Sequence, residues 1–350
     1  PGPAPLNSGR TAPDPPRMNH DSLLAASPWW RPAPGARLVI TGGQPLRGVY
    51  PISGAKNAVL PLMVAALLSP HLVTLHNVPA SLDVAVLSNL LQRLGVGLHW
   101  SEGAAGRSLT LCADRVHPGR IDAGLVGRMR ASVLLLGALL GRCGEASLPM
   151  PGGDAIGLRG IDFHIAGLRA MGAQVELAGG MIHATAPNGL HGADIALTLP
   201  SVGATENLLL AAVLAQGETI IRNAAREPEI ADLAACLRAM GAAIDGLGTD
   251  RLTIEGGRKL AGAVHAVMPD RIELGTIACA AALTDGELRL THADPALLAA
   301  AGPLFAAAGV EMLAEPGGLL VRRAAGGLRG IDLHTRRYRG FATDRRAASM

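Results

Sequence analysis

Four times along this chain a helix ends on the same phrase and turns into a strand: LLQRLGV at 90–96, GLRAMGA at 167–173, CLRAMGA at 236–242 and LFAAAGV at 304–310. In each, a helix carries Leu or Met toward its end, a glycine stands where a left-handed C-cap is required, and a strand follows. A second phrase keeps step with the first: LVTLHN at 72–77, EASL at 145–148, GETIIRN at 217–223 and GELRLTH at 286–292. Its residues alternate with period two, as in a strand, and three of the four lead into a turn containing proline. Two independent phrases at matching spacing make chance similarity a weak explanation. The chain is therefore read as a series of α/β units of roughly 70 residues, each with two helices and several strands. That period is too long for a solenoid of short repeats, so the units are expected to pack their helices inward and their sheets outward.

Composition narrows the classes of function. With 350 residues, two lobes are expected rather than one. Hydrophobic residues make up 49% and charged residues 17%, a globular balance. Aromatics at 2% offer few stacking platforms for nucleic acid, and a net charge of +3 points to no polyanionic partner. Cys112, Cys143, Cys236 and Cys279 form no CxxC pair and stand at no zinc spacing, so they read as reduced core thiols of a cytoplasmic protein. The apolar run 131–141 is far shorter than the roughly 20 residues of a membrane helix, and no membrane association is expected. Residues 1–36 are Pro-rich, lack the apolar region of a signal peptide and are read as a disordered tail, with Met18 a candidate initiator.

Several segments place charge at helix starts. In ISGAKNAVLP at 52–61, Lys56 and Asn57 open an apolar helical run. A helix N-terminus attracts anions and disfavours a cation, so a lysine there makes sense with a phosphate or carboxylate ligand, or as a solvated surface residue. Arg130 stands likewise before the apolar run 133–140. The Gly-rich stretch 149–164 carries Asp154 near its tip and Arg159 five residues on. Such a loop delivers an acid–base group over a substrate, or is a plain turn with Asp154 capping the backbone; Asp162 reads equally as the N-cap of the helix that follows. PSVGATEN at 200–207 is a small-residue loop before an apolar helix at 208–214, suited to cradling a phosphate. The chain has neither a P-loop nor a GxGxxG, which excludes the usual nucleotide-hydrolysing and dinucleotide-binding motifs. Arg226–Glu229 and Asp270–Glu273 read individually as solvated loop charges.

Taken together, GAKN at 54–57, MRAS at 129–132, PGGDAIG at 151–157, SVGATEN at 201–207, NAAREPEI at 223–230 and PDRIE at 269–273 resemble the UDP-N-acetylglucosamine 1-carboxyvinyltransferases. These are the enolpyruvyl transferases of early peptidoglycan synthesis, which serve cell-wall biogenesis, cell shape and division. The resemblance covers about residues 38–344 in the family's order. The sibling acting on shikimate 3-phosphate has serines in place of Ala55 and Asn57 and lacks the Gly-Gly-Asp loop. The resemblance implies an α/β fold of two lobes, an inside-out α/β barrel built from repeated βαβαββ units. The first lobe would be 57–268, and the second would combine 37–56 with 269–350 and be incomplete. It implies transfer of the enolpyruvyl group from phosphoenolpyruvate to the 3′-hydroxyl of UDP-N-acetylglucosamine, releasing phosphate, with no metal or cofactor. By the same resemblance, Lys56, Asn57, Arg130 and Arg159 bind phosphoenolpyruvate. The UDP-sugar falls to Arg130, Arg159, Gly160, Ile161, Asp162, Phe163, Leu199, Pro200, Ser201, Val202, Gly203 and Asp344. Asp154 and Asp344, with Lys56, are the implied catalytic groups, Asp344 as base toward the sugar hydroxyl.

Two departures stand out. Most of the family has cysteine where this chain has Asp154; a carboxylate still supplies a proton but is a poor nucleophile toward fosfomycin, so intrinsic resistance is expected. After Asp344 the family continues with an apolar or amide residue and Gln, whereas this chain has Arg345-Arg346 and stops at Met350, roughly a hundred residues short by the repeat period. Two further readings stay open: a UDP-sugar-binding fragment without turnover, and a paralogue acting on another nucleotide sugar.

Overall fold

The recurring phrases become the same pieces of backbone each time. In the computed structural model, which describes residues 37, 39–103, 106–119, 121–153 and 160–332, Gly95, Gly172, Gly241 and Gly309 follow helices with φ of 95°, 93°, 105° and 82°. Only glycine takes this left-handed conformation without strain, which is why the phrase always stops there. Asn77, Asn223 and His292 end the second phrase with φ of 57°, 55° and 53°. Both asparagines use the turn: Asn77 Nδ2 donates to the Val267 carbonyl at 3.0 Å and Asn223 Nδ2 to that of Leu197 at 2.8 Å.

The chain runs β1 (Arg47–Pro51), α1 (Lys56–Ala65), β2 (Val73–His76), α2 (Leu82–Arg93), β3 (Gly97–Gly103), β4 (Gly106–Cys112) and α3 (Ala123–Val126). A 3-10 turn, Arg130–Val133, leads into α4 (Leu134–Cys143), then β5 (Glu145–Pro149), α5 (Asp162–Ala170), β6 (Gln174–Ala178), β7 (Met181–Thr185) and β8 (Asp194–Ala196). There follow α6 (Val202–Ala212), β9 (Glu218–Arg222), α7 (Pro228–Ala239), β10 (Ala243–Asp245), β11 (Arg251–Glu255) and β12 (Ala263–Ala266). The last described elements are α8 (Arg271–Leu283), β13 (Glu287–Thr291), α9 (Gly302–Ala307), β14 (Val310–Glu315) and β15 (Gly318–Arg323).

Three sheets share one topology, β12-β2-β4-β3, β8-β9-β11-β10 and β1-β13-β15-β14. Each begins with a parallel pair and continues through two antiparallel neighbours. The fourth, β5-β7-β6, has the antiparallel part of that pattern. Parallel pairs need long crossovers, and the longest here are far apart in sequence: β1 lies along β13, and β12 along β2.

Strands such as β7 and β9 alternate buried and exposed residues, one face to the core and one to solvent. By contrast α1 is buried from Ala58 to Ala65, α4 from Leu134 to Leu140 and α6 from Ala204 to Ala212. Helices apolar all round belong in an interior. Close approach is permitted by glycine: a Cβ on Gly137 of α4 would stand 2.3 Å from the Asn207 carbonyl oxygen, and one on Gly167 of α5 would stand 2.5 Å from Leu208 Cδ2. Among the described residues no helix is long and apolar enough to cross a membrane. One expected boundary moves. α6 starts at Val202 rather than at 208, because Ser201 Oγ accepts from the Ala204 N–H and caps it there.

The buried apolar residues form two clusters, one from Ala55 to Val267, the other of Ile52 with residues between Leu274 and Val321. The chain passes between them twice, and the two passages run side by side. Gly54 bridges Pro269, the Ala55 N–H donates to the Met268 carbonyl at 2.7 Å, and the Asp270 N–H to that of Ser53 at 2.9 Å. A side chain on Gly54 would meet the Asn77 carbonyl oxygen at 1.8 Å, so this crossing requires glycine.

Candidate active site

Lys56 is the first residue of α1, directly after that crossing. Ala55 offers no side-chain cap; instead Asp270 Oδ2 accepts from the Lys56 backbone N–H at 3.2 Å, while Asp270 Oδ1 caps α8 through Ile272 and Glu273. Lys56 Nζ reaches Asp83 Oδ2, in the first turn of α2, at 3.1 Å. The cation at an unfavourable helix end is thus met by the Asp83 carboxylate, while Asp270 takes the backbone N–H of the same residue, and with 41% of its side chain exposed Lys56 still faces solvent. Asn57 beside it is exposed.

Arg130 lies on the 3-10 turn before α4, and its Nη2 donates to the Gly160 carbonyl at 2.6 Å. Gly152 and Gly153 are tied to the preceding turn by N–H bonds to Val126 and Gly127, and a Cβ on Gly153 would stand 3.0 Å from the Arg130 backbone nitrogen. The Gly-rich stretch therefore leaves from Arg130 at residue 153 and returns to it at 160. Asp154, Arg159 and Asp344 lie outside the described residues, as do 1–36. Gly160 and Ile161 precede α5, with Asp162 and Phe163 in its first turn. Asp162 is the first helical residue and makes no capping bond; Ile161 holds the cap position, so the expected N-cap role fails. Leu199 and Pro200 lead to Ser201, the cap of α6, whose first turn holds Val202 and Gly203.

Two residues that sequence reasoning gave no role bind these starts together. Asn207, fully buried on α6, accepts from the Gly137 N–H through Oδ1 at 2.8 Å, and its Nδ2 lies 3.1 Å from His164 Nδ1 on α5. His164 is buried, and burial, with Arg130 close by, pulls its pKa down to about 3. A Cβ on Gly203 would lie 3.4 Å from His164 Cε1 and 3.6 Å from Nε2, so the ring's far edge faces the start of α6. The sequence offers little signal for it: Asn207 stands with Thr205 and Glu206 at the front of an apolar run, and only a helix starting at Val202 puts the amide inside, where it demands partners.

The charges read as solvated at 226–229 and 269–273 prove otherwise. Arg271, Glu229 and Glu227 are buried, and Arg271 grips Glu229 through Nε at 2.9 Å and Nη2 at 3.3 Å. This fork joins the first turn of α7 to the first turn of α8, across the two apolar clusters. Glu206 of α6 is buried near them; burial first, then Glu229 and Glu227, push its carboxyl well up. Glu273 accepts from the Ser53 N–H and hydroxyl and from the Tyr50 hydroxyl, which it holds at about 12. The crossing is enclosed on both sides, which isolated loop charges do not reveal.

A family model described as EPSP synthase (3-phosphoshikimate 1-carboxyvinyltransferase) matches residues 40–350. The UDP-N-acetylglucosamine 1-carboxyvinyltransferase of Rhodospirillum centenum is 49% identical over 321 residues, 90% of this chain and 74% of that protein. The protein of the same description from Gluconacetobacter diazotrophicus is 50% identical over 315 residues, with the same shares. Among solved structures, the enolpyruvyl transferase NikO from Streptomyces tendae superposes with a TM-score of 0.76 at 26% identity, over 88% of this chain and 72% of that one. EPSP synthase from Acinetobacter baumannii superposes at 0.61 with 19% identity, over 85% and 68%, a likeness of fold alone.

Proposed function

Because the chain belongs to the EPSP synthase family of enolpyruvyl transferases and to its UDP-N-acetylglucosamine 1-carboxyvinyltransferases, we propose that it transfers the enolpyruvyl group of phosphoenolpyruvate to UDP-N-acetylglucosamine. The reaction frees phosphate and opens peptidoglycan synthesis, in the cytoplasm. The observation that carries this reading is the meeting of Arg130, the α5 start at Gly160–Phe163 and the α6 start at Ser201–Gly203, joined by Asn207 and His164. Two helix N-termini and a guanidinium in one place suit the phosphate oxygens of a nucleotide sugar.

In the proposed reaction the sugar 3′-oxygen bonds to C2 of phosphoenolpyruvate as C3 gains a proton. The ketal then breaks its C2–O bond to phosphate, and C3 gives the proton back. Lys56 and Asn57 hold phosphoenolpyruvate with Arg130 and Arg159; Arg130 and Arg159, with Gly160–Phe163, Leu199–Gly203 and Asp344, hold the UDP-sugar. Asp154 protonates C3, and Asp344 takes the hydroxyl proton. The lobes in this reading are 57–268, and 37–56 with 269–350, each built from βαβαββ units with helices inside. With Asp154 in place of a thiol, incubation with fosfomycin leaves activity intact.

Mass spectrometry of a mixture with both substrates tests the reading. It predicts a UDP-sugar heavier by one enolpyruvyl group. Transfer to shikimate 3-phosphate instead, or no UDP-linked product, would overturn it.

A further inference from the structure

The Gly137–Asn207–His164 contacts settle where a proton sits. Asn207 Oδ1 accepts from a backbone N–H, so Nδ2 is the atom that meets His164, and an amide nitrogen only donates. His164 Nδ1 is therefore the acceptor, and the neutral ring carries its proton on Nε2. Among the described residues that Nε2 makes no hydrogen bond; the residue is 4% exposed, but Nε2 is not one of the fully enclosed polar atoms left without a partner, so it stays within reach of a ligand. It faces Gly203 in the first turn of the 11-residue helix α6, where backbone N–H groups also point outward. Arg130 already supplies positive charge nearby, and a second cation beside it would be repelled; a neutral donor is not.

We propose that Asn207 is a positioning residue for nucleotide-sugar binding: locked by Gly137, it keeps the His164 proton on Nε2, and that N–H donates to the diphosphate held at the start of α6. This rests on the function proposed above and adds residues that the family resemblance did not assign.

The test measures binding of UDP-N-acetylglucosamine by calorimetry to the full chain, to His164→Leu and to His164→Gln, whose amide nitrogen stands near the place of Nε2. Nitrogen-15 NMR of histidine-labelled wild type and Asn207→Asp runs beside it. Losing a hydrogen bond to a charged ligand group predicts binding about 10- to 100-fold weaker in His164→Leu, with His164→Gln recovering most of it. The spectra are expected to place the wild-type proton on Nε2, and to show Nδ1 protonated in Asn207→Asp, since a carboxylate only accepts. A wild-type proton on Nδ1, or equal binding by wild type and His164→Leu, would overturn the inference while leaving the function standing. Failure of wild type to bind the nucleotide sugar would overturn both. The wild-type spectrum decides the tautomer even if a variant does not fold.

Discussion

Two helix starts in this protein solve the same problem differently. α1 opens on a cation, Lys56, with no side-chain cap and with Asp83 and Asp270 holding it from outside the helix. α6 opens on a capping serine and continues with small neutral residues, and behind it stand a buried amide and a neutral imidazole. Lys56 keeps 41% of its side chain exposed and its charge hydrated, whereas His164 and Asn207 behind the α6 start are buried, where a charge would be costly to desolvate. The difference teaches that an anion-attracting helix end carries a full charge on its own first residue where that side chain reaches solvent, and where the side chain behind it is buried it draws on fixed dipoles, with the charge brought from another turn by Arg130. In the proposed reaction, the charged end takes phosphoenolpyruvate and the neutral end the UDP-sugar.

Removing the charge breaks the comparison most strongly. Lys56→Ala is expected to lower kcat/KM for phosphoenolpyruvate by about 1,000-fold, while steady-state kinetics show the UDP-sugar KM within a few-fold. Equal losses for both substrates would erase the distinction between the two ends. Nearly as large is the effect of Arg271→Met, which strands Glu229 at the crossing behind Lys56: chemical denaturation should show a loss of about 3–5 kcal/mol. Replacing Glu229 by Gln in the same chain should return part of it.

Smaller effects come from pH. His164 in the folded chain holds its proton only below about 3, against an ordinary 6.5, so between those values the unfolded chain takes up a proton that the folded one refuses. Stability conferred by the neutral ring is present above 6.5 and is lost as pH falls toward 3, on the order of 4 kcal/mol at the acid end. Glu206 has the opposite sign: its raised pKa means the folded chain keeps a proton the unfolded one releases above 4.5, and stability falls as pH rises. Denaturation midpoints across pH should show a flatter acid limb for His164→Gln and a flatter alkaline limb for Glu206→Gln. Smallest is Asp83→Asn, a partly exposed pair with Lys56, worth less than about 1 kcal/mol to stability in the same assay.

Much of the architecture was legible because it is written in backbone constraints. Gly95, Gly172, Gly241 and Gly309 mark four of the helix-to-strand turns because glycine goes left-handed there freely, and the alternation of β9 or β13 is the alternation of its burial. The candidate site was legible where charge breaks a local rule, as at Lys56 at the start of α1. It was not legible where side chains act across elements: Asn207 sits 43 positions from His164, and Arg271 sits 42 from Glu229. Neither pairing leaves a periodic trace. The start of α6 was placed six residues late because Ser201–Asn207 reads as a loop until Asn207 and Glu206 are seen buried within the helix.

The most direct test of the central claim is phosphate release from phosphoenolpyruvate by this chain, with and without UDP-N-acetylglucosamine, beside Asp154→Asn. The account predicts release that needs the nucleotide sugar and disappears in Asp154→Asn. No release by the wild-type chain, or release indifferent to the sugar, would contradict it.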